Sequence, residues 1–402
     1  MRIKDILNYV LCCLFCLVMV IEFSVPGMRI IKAYRMVSVV ICFLAIWYVV
    51  INPKRKKGQS LKFSIIMWSI IVCGCVISMI GTASFEMNNV EYLLCYLYYP
   101  IVFGALAYNF RNKTSARNML AAYYTVSIGI AILGYYETFT GNIIHVTPGA
   151  YVHLRNFLGL HLPNTIFYNI NDNAVFMMMS LVVAYILSEY VKHGTIVKLI
   201  AVILFGGNIV FVDSRGAEMA MVAFLLLYYL IRYKAGKKIL VAGILAISGA
   251  VLYPFIMQAS FFSEGISNTG RSLIWMTTTR NIMNHPVIGV GPGNIVDYNR
   301  VLGTSGIVYA VHNYLLEIMA DLGVIVAIVW CVWFGTLILK AYKIRRDTNT
   351  ALVVLCGLIA FVPMSIVCSS LIEKHWPILF FAILVNQLNM DEKNAKDTKR
   401  EV

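Results

Sequence analysis

Phe63-Ser-Ile-Ile-Met-Trp-Ser-Ile-Ile-Val-Cys-Gly-Cys-Val-Ile-Ser-Met-Ile-Gly-Thr82 runs its full length without a charged residue. At about 1.5 Å rise per residue, a helix of this size covers the ~30 Å hydrocarbon layer of a bilayer. The stretch is entered through Lys54-Arg-Lys-Lys57 and Lys62, a basic cluster of the kind that marks cytoplasmic loops. Outward from it in both directions the same plan repeats. Apolar blocks of roughly 17–25 residues alternate with short segments that hold the charges. The 402 residues are 60% hydrophobic and only 13% charged, whereas a soluble domain carries about a quarter charged residues. A chain this apolar could not cover itself in water, so its solvent is lipid. The fold class is all-α: a polytopic membrane protein built as one integral membrane domain over residues 1–402.

The pattern predicts about twelve spans, near 6–25, 36–51, 63–82, 91–109, 118–137, 173–190, 196–213, 217–233, 238–257, 314–340, 351–371 and 376–389. Both termini then share one side, with 390–402 as a cytoplasmic tail. Most of the 33 Lys and Arg fall in that side's loops, including Lys113 and Arg117, Arg232 and Lys234, and Lys340 to Arg346. This alternation fixes the orientation and accounts for the formal charge of +14 without nucleic acid as a partner. One outer segment runs against it: Met28 to Arg35 carries Arg29, Lys32 and Arg35 and reads as an amphipathic helix on the headgroups. The ten cysteines lie inside predicted spans and read as small buried apolar residues. Met1-Arg-Ile-Lys-Asp leads straight into apolar sequence with no small-residue cleavage site, so the first span is expected to be retained.

Two outer loops are long, 138–172 and 258–313, and loops of this size are usually functional. The first holds His145, His153, Arg155, His161 and Asp172; the second holds Arg271, Arg280, His285, Arg300 and His312. Within the second, Asn268 and Thr269 read as caps of a helix from Arg271 to Asn284 that His285-Pro286 stops.

Four constellations carry possible chemistry. Ser214-Arg215-Gly216 stands at the outer junction of two spans beside Asp213 and Glu218. Arg215 reads as a cation snorkelling to the headgroups, as one paired with Asp213 or Glu218, or as a fixed phosphate ligand. Gly270-Arg271-Ser272 places Arg271 in the first turn of its expected helix, where a cation opposes the helix dipole unless an anion joins it. The alternative there is a solvent-facing arginine stacked on Trp275. Gly289-Val-Gly-Pro-Gly-Asn294 is read as a sharp turn and not a nucleotide loop, because Pro292 removes a donor and no strand-loop-helix context surrounds it. His312-Asn313-Tyr-Leu-Leu-Glu317 opens the tenth span, with His312 either capping a helix or serving as a general base. Glu317 and Asp321 stand at i and i+4 and so share a helix face. No metal cluster and no cofactor motif is recognised. Two arginines suited to a diphosphate and a histidine suited to a hydroxyl fit displacement of a lipid pyrophosphate by a sugar hydroxyl.

The run of Ser214-Arg215-Gly216, Gly270-Arg271 through Trp275, His285-Pro286 through Asn294, and His312-Asn313 through Glu317 to Asp321-Leu-Gly323 resembles the O-antigen ligase/polymerase superfamily of bacterial cell-surface glycan assembly. The resemblance covers about residues 200–340. It implies a GT-C-like, metal-independent membrane glycosyltransferase that uses undecaprenyl-pyrophosphate-linked glycans as donor and acceptor at the outer face of the bacterial plasma membrane. By the matching motifs, Arg215 and Arg271 would hold the pyrophosphate and His312 would take the proton of the attacking hydroxyl. Asn313 and Glu317 would support that site, and His153, Arg155 and His161 of the first outer loop would meet the acceptor. The expected role is polymerase of repeat units for a capsule, exopolysaccharide or O-antigen, working with a chain-length regulator and a flippase. The alternative is a ligase that moves the finished chain to lipid A core or another acceptor. A non-catalytic transporter or flippase is the reading from a different class, and it would place ionisable residues at mid-membrane.

Overall fold

The apolar blocks fold as helices because a backbone in hydrocarbon must satisfy its own N–H and C=O groups. The computed structural model describes residues 3–20, 59–107, 109–143, 156, 158–167, 169–233, 265–302, 310–368 and 371–401, and its regular elements are helical. In chain order these are α1 (Ile3–Val20), α2 (Gln59–Gly81), α3 (Met87–Leu106), α4 (Lys113–Thr140), α5 (Ile170–Ser188), α6 (Gly194–Val212) and α7 (Arg215–Arg232). There follow α8 (Gly265–Asn284), α9 (Ile295–Leu302), α10 (Tyr314–Leu322), α11 (Val324–Ile344), α12 (Asn349–Met364) and α13 (His375–Glu401). Five of them, α2, α4, α5, α6 and α11, are long and apolar enough to cross a membrane. The predicted spans near 36–51 and 238–257 and the Met28–Arg35 segment lie outside the described residues.

Helix α5 forms the centre. Every residue from Asp172 to Ser188 is buried, as expected for a helix that is apolar on all sides and enclosed by others. Helix α2 is peripheral: Trp68, Ile71 and Cys75 face inward while Ile66, Ile70, Ile77 and Ile80 are exposed, a face for lipid. Between helices in lipid, association rests on close packing and a few polar contacts. Gly357 brings α12 so near α5 that an added Cβ would stand 2.6 Å from a Val182 methyl. Trp68 stacks on Tyr99 at 3.6 Å between ring centroids, and the Trp333 indole N–H donates to Ser64 Oγ at 3.0 Å. Helix α6 loosens into a π turn at Val202–Gly206, and Tyr135 donates to the Ile203 carbonyl there at 2.6 Å.

Three sequence expectations are corrected. The stretch expected as one span at 314–340 is two helices, α10 and α11, parted at Gly323. Gly323 has φ +88°, and a Cβ there would overlap the Val287 carbonyl; the 286–295 loop fills the space a continuous helix would need. The stretch expected at 351–371 ends at Met364, after which residues 365–367 turn. The helix expected to start at Arg271 already begins at Gly265, so Asn268 and Thr269 lie inside it and do not cap it. Its end at Asn284 agrees with the sequence reading.

The α5–α12 contact is testable. Gly357→Ala is expected to lower the thermal midpoint in detergent, at an overpacking cost of about 1–3 kcal/mol. Val182→Ala in the same chain should recover part of the loss. Equal midpoints for the double and the single Gly357→Ala variants would show that the two helices do not meet there.

Candidate functional site

Helix α10 is held at its C-terminal end by a buried carboxylate. Asp321 is fully buried; its Oδ2 accepts the Gly293 N–H and its Oδ1 the Ile295 N–H, both at 3.0 Å. The Asp321 carbonyl accepts the Gly291 N–H at 3.0 Å and the Ser78 hydroxyl at 2.9 Å. The Ala320 carbonyl accepts the Val290 N–H at 2.8 Å, and the Pro286 carbonyl accepts the Val324 N–H at 2.8 Å. From α3, Asn89 donates to the Pro292 carbonyl at 2.8 Å and to Asn294 Oδ1 at 2.7 Å. Gly289, with φ +68°, lies directly on the Asp321 backbone and leaves no room for a Cβ. The Gly289–Asn294 segment is therefore a turn whose donors end on protein, as its composition predicted.

The N-terminal end of α10 carries His312. Asn313 caps the helix, its side chain accepting the Leu316 N–H at 3.2 Å, and the Tyr314 N–H donates to the Ser365 carbonyl at 2.9 Å. His312 adopts φ +49°, a left-handed conformation uncommon for a residue with a Cβ. Its Nδ1 lies 3.2 Å from the Val367 carbonyl. A carbonyl only accepts, so Nδ1 carries the hydrogen and Nε2 is the basic nitrogen.

The same turn receives Arg215. Ser214 occupies the N-cap position of α7, and its hydroxyl donates to Asn171 Oδ1 at 2.9 Å. Gly216 sits against the Pro363–Val367 turn so closely that a Cβ would overlap the Val367 side chain. Val367 thus touches the residue after Arg215 with its side chain and the ring of His312 with its carbonyl. Helix α8 approaches from the other side. Trp275 donates from its indole to the Val311 carbonyl at 2.8 Å, and Arg271 lies one turn before Trp275 in that helix. Arg271 is therefore in the second turn and not the first, so the expected opposition to the helix dipole is weak at its position. The backbones of Arg215, His312 and α8 meet at one end of the bundle.

Other expected residues divide. Glu317 is 2% exposed on the inner face of α10, within electrostatic reach of Tyr92, Tyr99 and Tyr314. His161 stands apart, its ring lying over Gly141 at the end of α4. His153 and Arg155 lie outside the described residues.

The sequence reading missed Lys374 and Glu373. Lys374 Nζ pairs with Asp172 Oδ2 at 3.1 Å, with Asp172 almost fully buried. Cys368 Sγ contacts the Asn171 carbonyl at 3.5 Å, which puts this pair beside Ser214. Glu373 accepts the Tyr92 hydroxyl. The available signal was two adjacent charges, Glu373-Lys374, in a short segment between two apolar blocks.

Helices of membrane-spanning length with a cluster of Arg, His, Lys and buried carboxylates at one end define an integral membrane protein with a polar site at a helix-end surface. Residues 200–331 match the O-antigen ligase family model, a stretch that includes Arg215, Arg271, the 286–295 turn and His312. The matched stretch makes up about a third of the chain, and over it the chain is similar to the O-antigen ligase family. It is also similar to the teichuronic acid biosynthesis protein TuaE of Bacillus subtilis (strain 168), with 22% identity over 299 residues, 67% of this chain and 60% of that protein. The aligned region thus spans less than two thirds of the relative's length.

Asp321 lies outside α11 and offers a pH test. Burial pushes its carboxyl up to about 7; the backbone N–H groups of Gly293 and Ile295 oppose this, and Glu373 adds to it. A carboxyl that holds its proton more tightly in the fold than in the unfolded chain favours the fold most below the ordinary range near ~4. That contribution is lost as pH rises to about 7. The wild-type thermal midpoint should therefore contain a falling component over this window that Asp321→Asn lacks. At pH ~5 the variant should also be weaker by about 1–3 kcal/mol, since its amide NH2 faces one of the two N–H donors. A pH-independent difference between the two proteins would remove Asp321 as the titrating group.

Proposed function

We propose that the chain is a membrane glycosyltransferase that polymerises undecaprenyl-pyrophosphate-linked oligosaccharide repeat units at the outer face of the bacterial plasma membrane, with both termini cytoplasmic. The observation that carries this reading is the meeting of His312 and the Arg215 helix start on one turn at Val367. His312 Nε2 takes the proton from the acceptor sugar hydroxyl. The hydroxyl oxygen bonds to the anomeric carbon of the donor as the bond from that carbon to the pyrophosphate oxygen breaks. The electron pair leaves with the pyrophosphate, which Arg215 and Arg271 hold.

Arginine suits that role because it stays charged and presents planar paired donors to phosphate oxygens. An imidazole suits its own because one ring nitrogen can take a proton while the other holds the ring in place. Attack from the face opposite the leaving group inverts the anomeric centre. The biosynthetic role carried in the name of the teichuronic acid protein supports assembly over transport. The family description, O-antigen ligase, favours a second reading, in which the same chemistry moves a finished glycan to another acceptor.

His312→Ala is expected to abolish chain growth in membrane vesicles while protein level and detergent elution stay normal. Arg215→Lys is expected to lose about 10²–10³ in rate, the usual cost of removing one group that stabilises developing charge. Glycan length resolved on a gel is the readout; normal length in His312→Ala removes His312 from the reaction. Deletion of the gene separates the two readings. Glycans arrested at one repeat unit indicate the polymerase, and full-length chains left on undecaprenyl pyrophosphate indicate the ligase.

A further inference from the structure

The far end of α12 opens into a cavity of about 340 Å³. The 16 residues of that helix separate it from the His312 turn by roughly 24 Å at about 1.5 Å per residue. Lys113 and Arg117 line one wall, and Thr348 and Asn349 line the wall facing α4.

The acidic groups in the lining are already engaged. Glu189 takes Lys198 Nζ at 3.0 Å and Asn349 Nδ2 at 3.0 Å. Asp391 takes the Thr350 hydroxyl at 2.8 Å on either oxygen and Gln387 Nε2 at 3.0 Å. Lys113 and Arg117 differ: both are exposed, and among the described residues neither has an ion-pair or hydrogen-bond partner. Standing at i and i+4, they share one face of α4. Lys113 is also the first residue of α4, and Asn349 the first of α12. Two helix starts therefore meet at a space that holds two cations; Asn112 caps the Ser115 N–H and Thr348 caps the Ala351 N–H, and the positive ends of both helix dipoles add to the field there.

With Glu189 paired to Lys198, Asp391 is the one lining carboxylate set against the two cations, so the cavity is short of negative charge. Its level supplies the source, since α4 turns apolar just past Arg117 and the next residues belong to a helix of membrane-crossing length. We infer that this cavity binds the phosphate of an anionic phospholipid headgroup, a site separate from the one at His312. Lys113 and Arg117 give charge-assisted hydrogen bonds to the phosphate oxygens, and the Thr348 and Asn349 side chains complete the polar wall.

The test uses the full-length chain in detergent, with native mass spectrometry of retained phosphatidylglycerol against phosphatidylcholine and thermal shifts with inorganic phosphate. Wild type should retain phosphatidylglycerol preferentially, and Lys113→Gln with Arg117→Gln should lower that retention roughly tenfold. Lys113→Arg should keep it. Lys343→Gln with Arg346→Gln removes the same charge from exposed positions at the C-terminal end of α11 and outside the cavity, and should leave retention unchanged. An equal loss in that control would mean general attraction to basic surface and overturn the site. Equal retention of both lipids, with phosphate stabilising wild type but not the cavity variant, would overturn the lipid as ligand and assign the cavity to a free phosphate. No difference between wild type and the cavity variant in either measurement, at matched elution and unfolding midpoint, would overturn the inference altogether.

Discussion

One buried carboxylate closes the hydrogen-bond account of the segment that shapes the site. The 286–295 turn enters the bundle end with its N–H groups directed inward, and Asp321 receives two of them on its carboxylate and a third on its carbonyl. A turn buried this deep without such a partner would carry orphaned donors, each costing a large share of a folded protein's net stability. The helix must also open to admit it, and Gly323 is where it opens, since a left-handed residue with no Cβ can lie against the Val287 carbonyl. Membrane-length α11 and the short α10 are separate helices because of this insertion.

The position of His312 follows from that break. Helix α10 is too short to cross a membrane and spans only Tyr314–Leu322, so pinning its end at Asp321 sets its start as well. The start is gripped on two further sides, by Trp275 through the Val311 carbonyl and by the turn after α12 through Ser365 and Val367. A histidine in a left-handed conformation costs energy that the surroundings must cover, and these contacts do so. The result is an imidazole whose hydrogen-bearing nitrogen is committed to protein and whose basic nitrogen is not determined by that contact. In the proposed reaction, that is the state a base toward a sugar hydroxyl requires.

The sequence made the helical membrane class readable because lipid allows few solutions: length, apolarity and the placement of basic loops suffice. Motif residues within 200–331 were readable for the same reason that the family model finds them. The break at Gly323 was not, because Leu322-Gly323-Val324 is continuous in hydropathy and the inserted loop comes from 28 to 37 positions upstream. The Lys374–Asp172 pair was also hidden. Its partners are about two hundred residues apart, and Asp172 reads from the sequence as a loop residue, although it is the third residue of the central helix. The early start of α8 escaped because Asn268 and Thr269 are good caps by residue type, and tertiary context overrode that local preference.

The two ends of α12 share an electrostatic problem. Arg215 is the first residue of α7 and Lys113 the first of α4, so each puts a full positive charge at the positive end of a helix dipole. Helix starts ordinarily favour acidic residues for this reason. A cation in that position is costly alone and becomes favourable when an anion lies between it and the N–H groups, because the guanidinium or ammonium and the backbone then act on the same oxygens. At Arg215 the Glu218 carboxyl lies within electrostatic reach, so the local balance is adjusted by protein. At Lys113 the neighbouring acids are committed elsewhere. On the proposed function and the inferred lipid site, the same arrangement carries different meanings at the two ends: a charge held ready for a leaving group that comes and goes, and a charge whose resting partner is supplied from outside the chain.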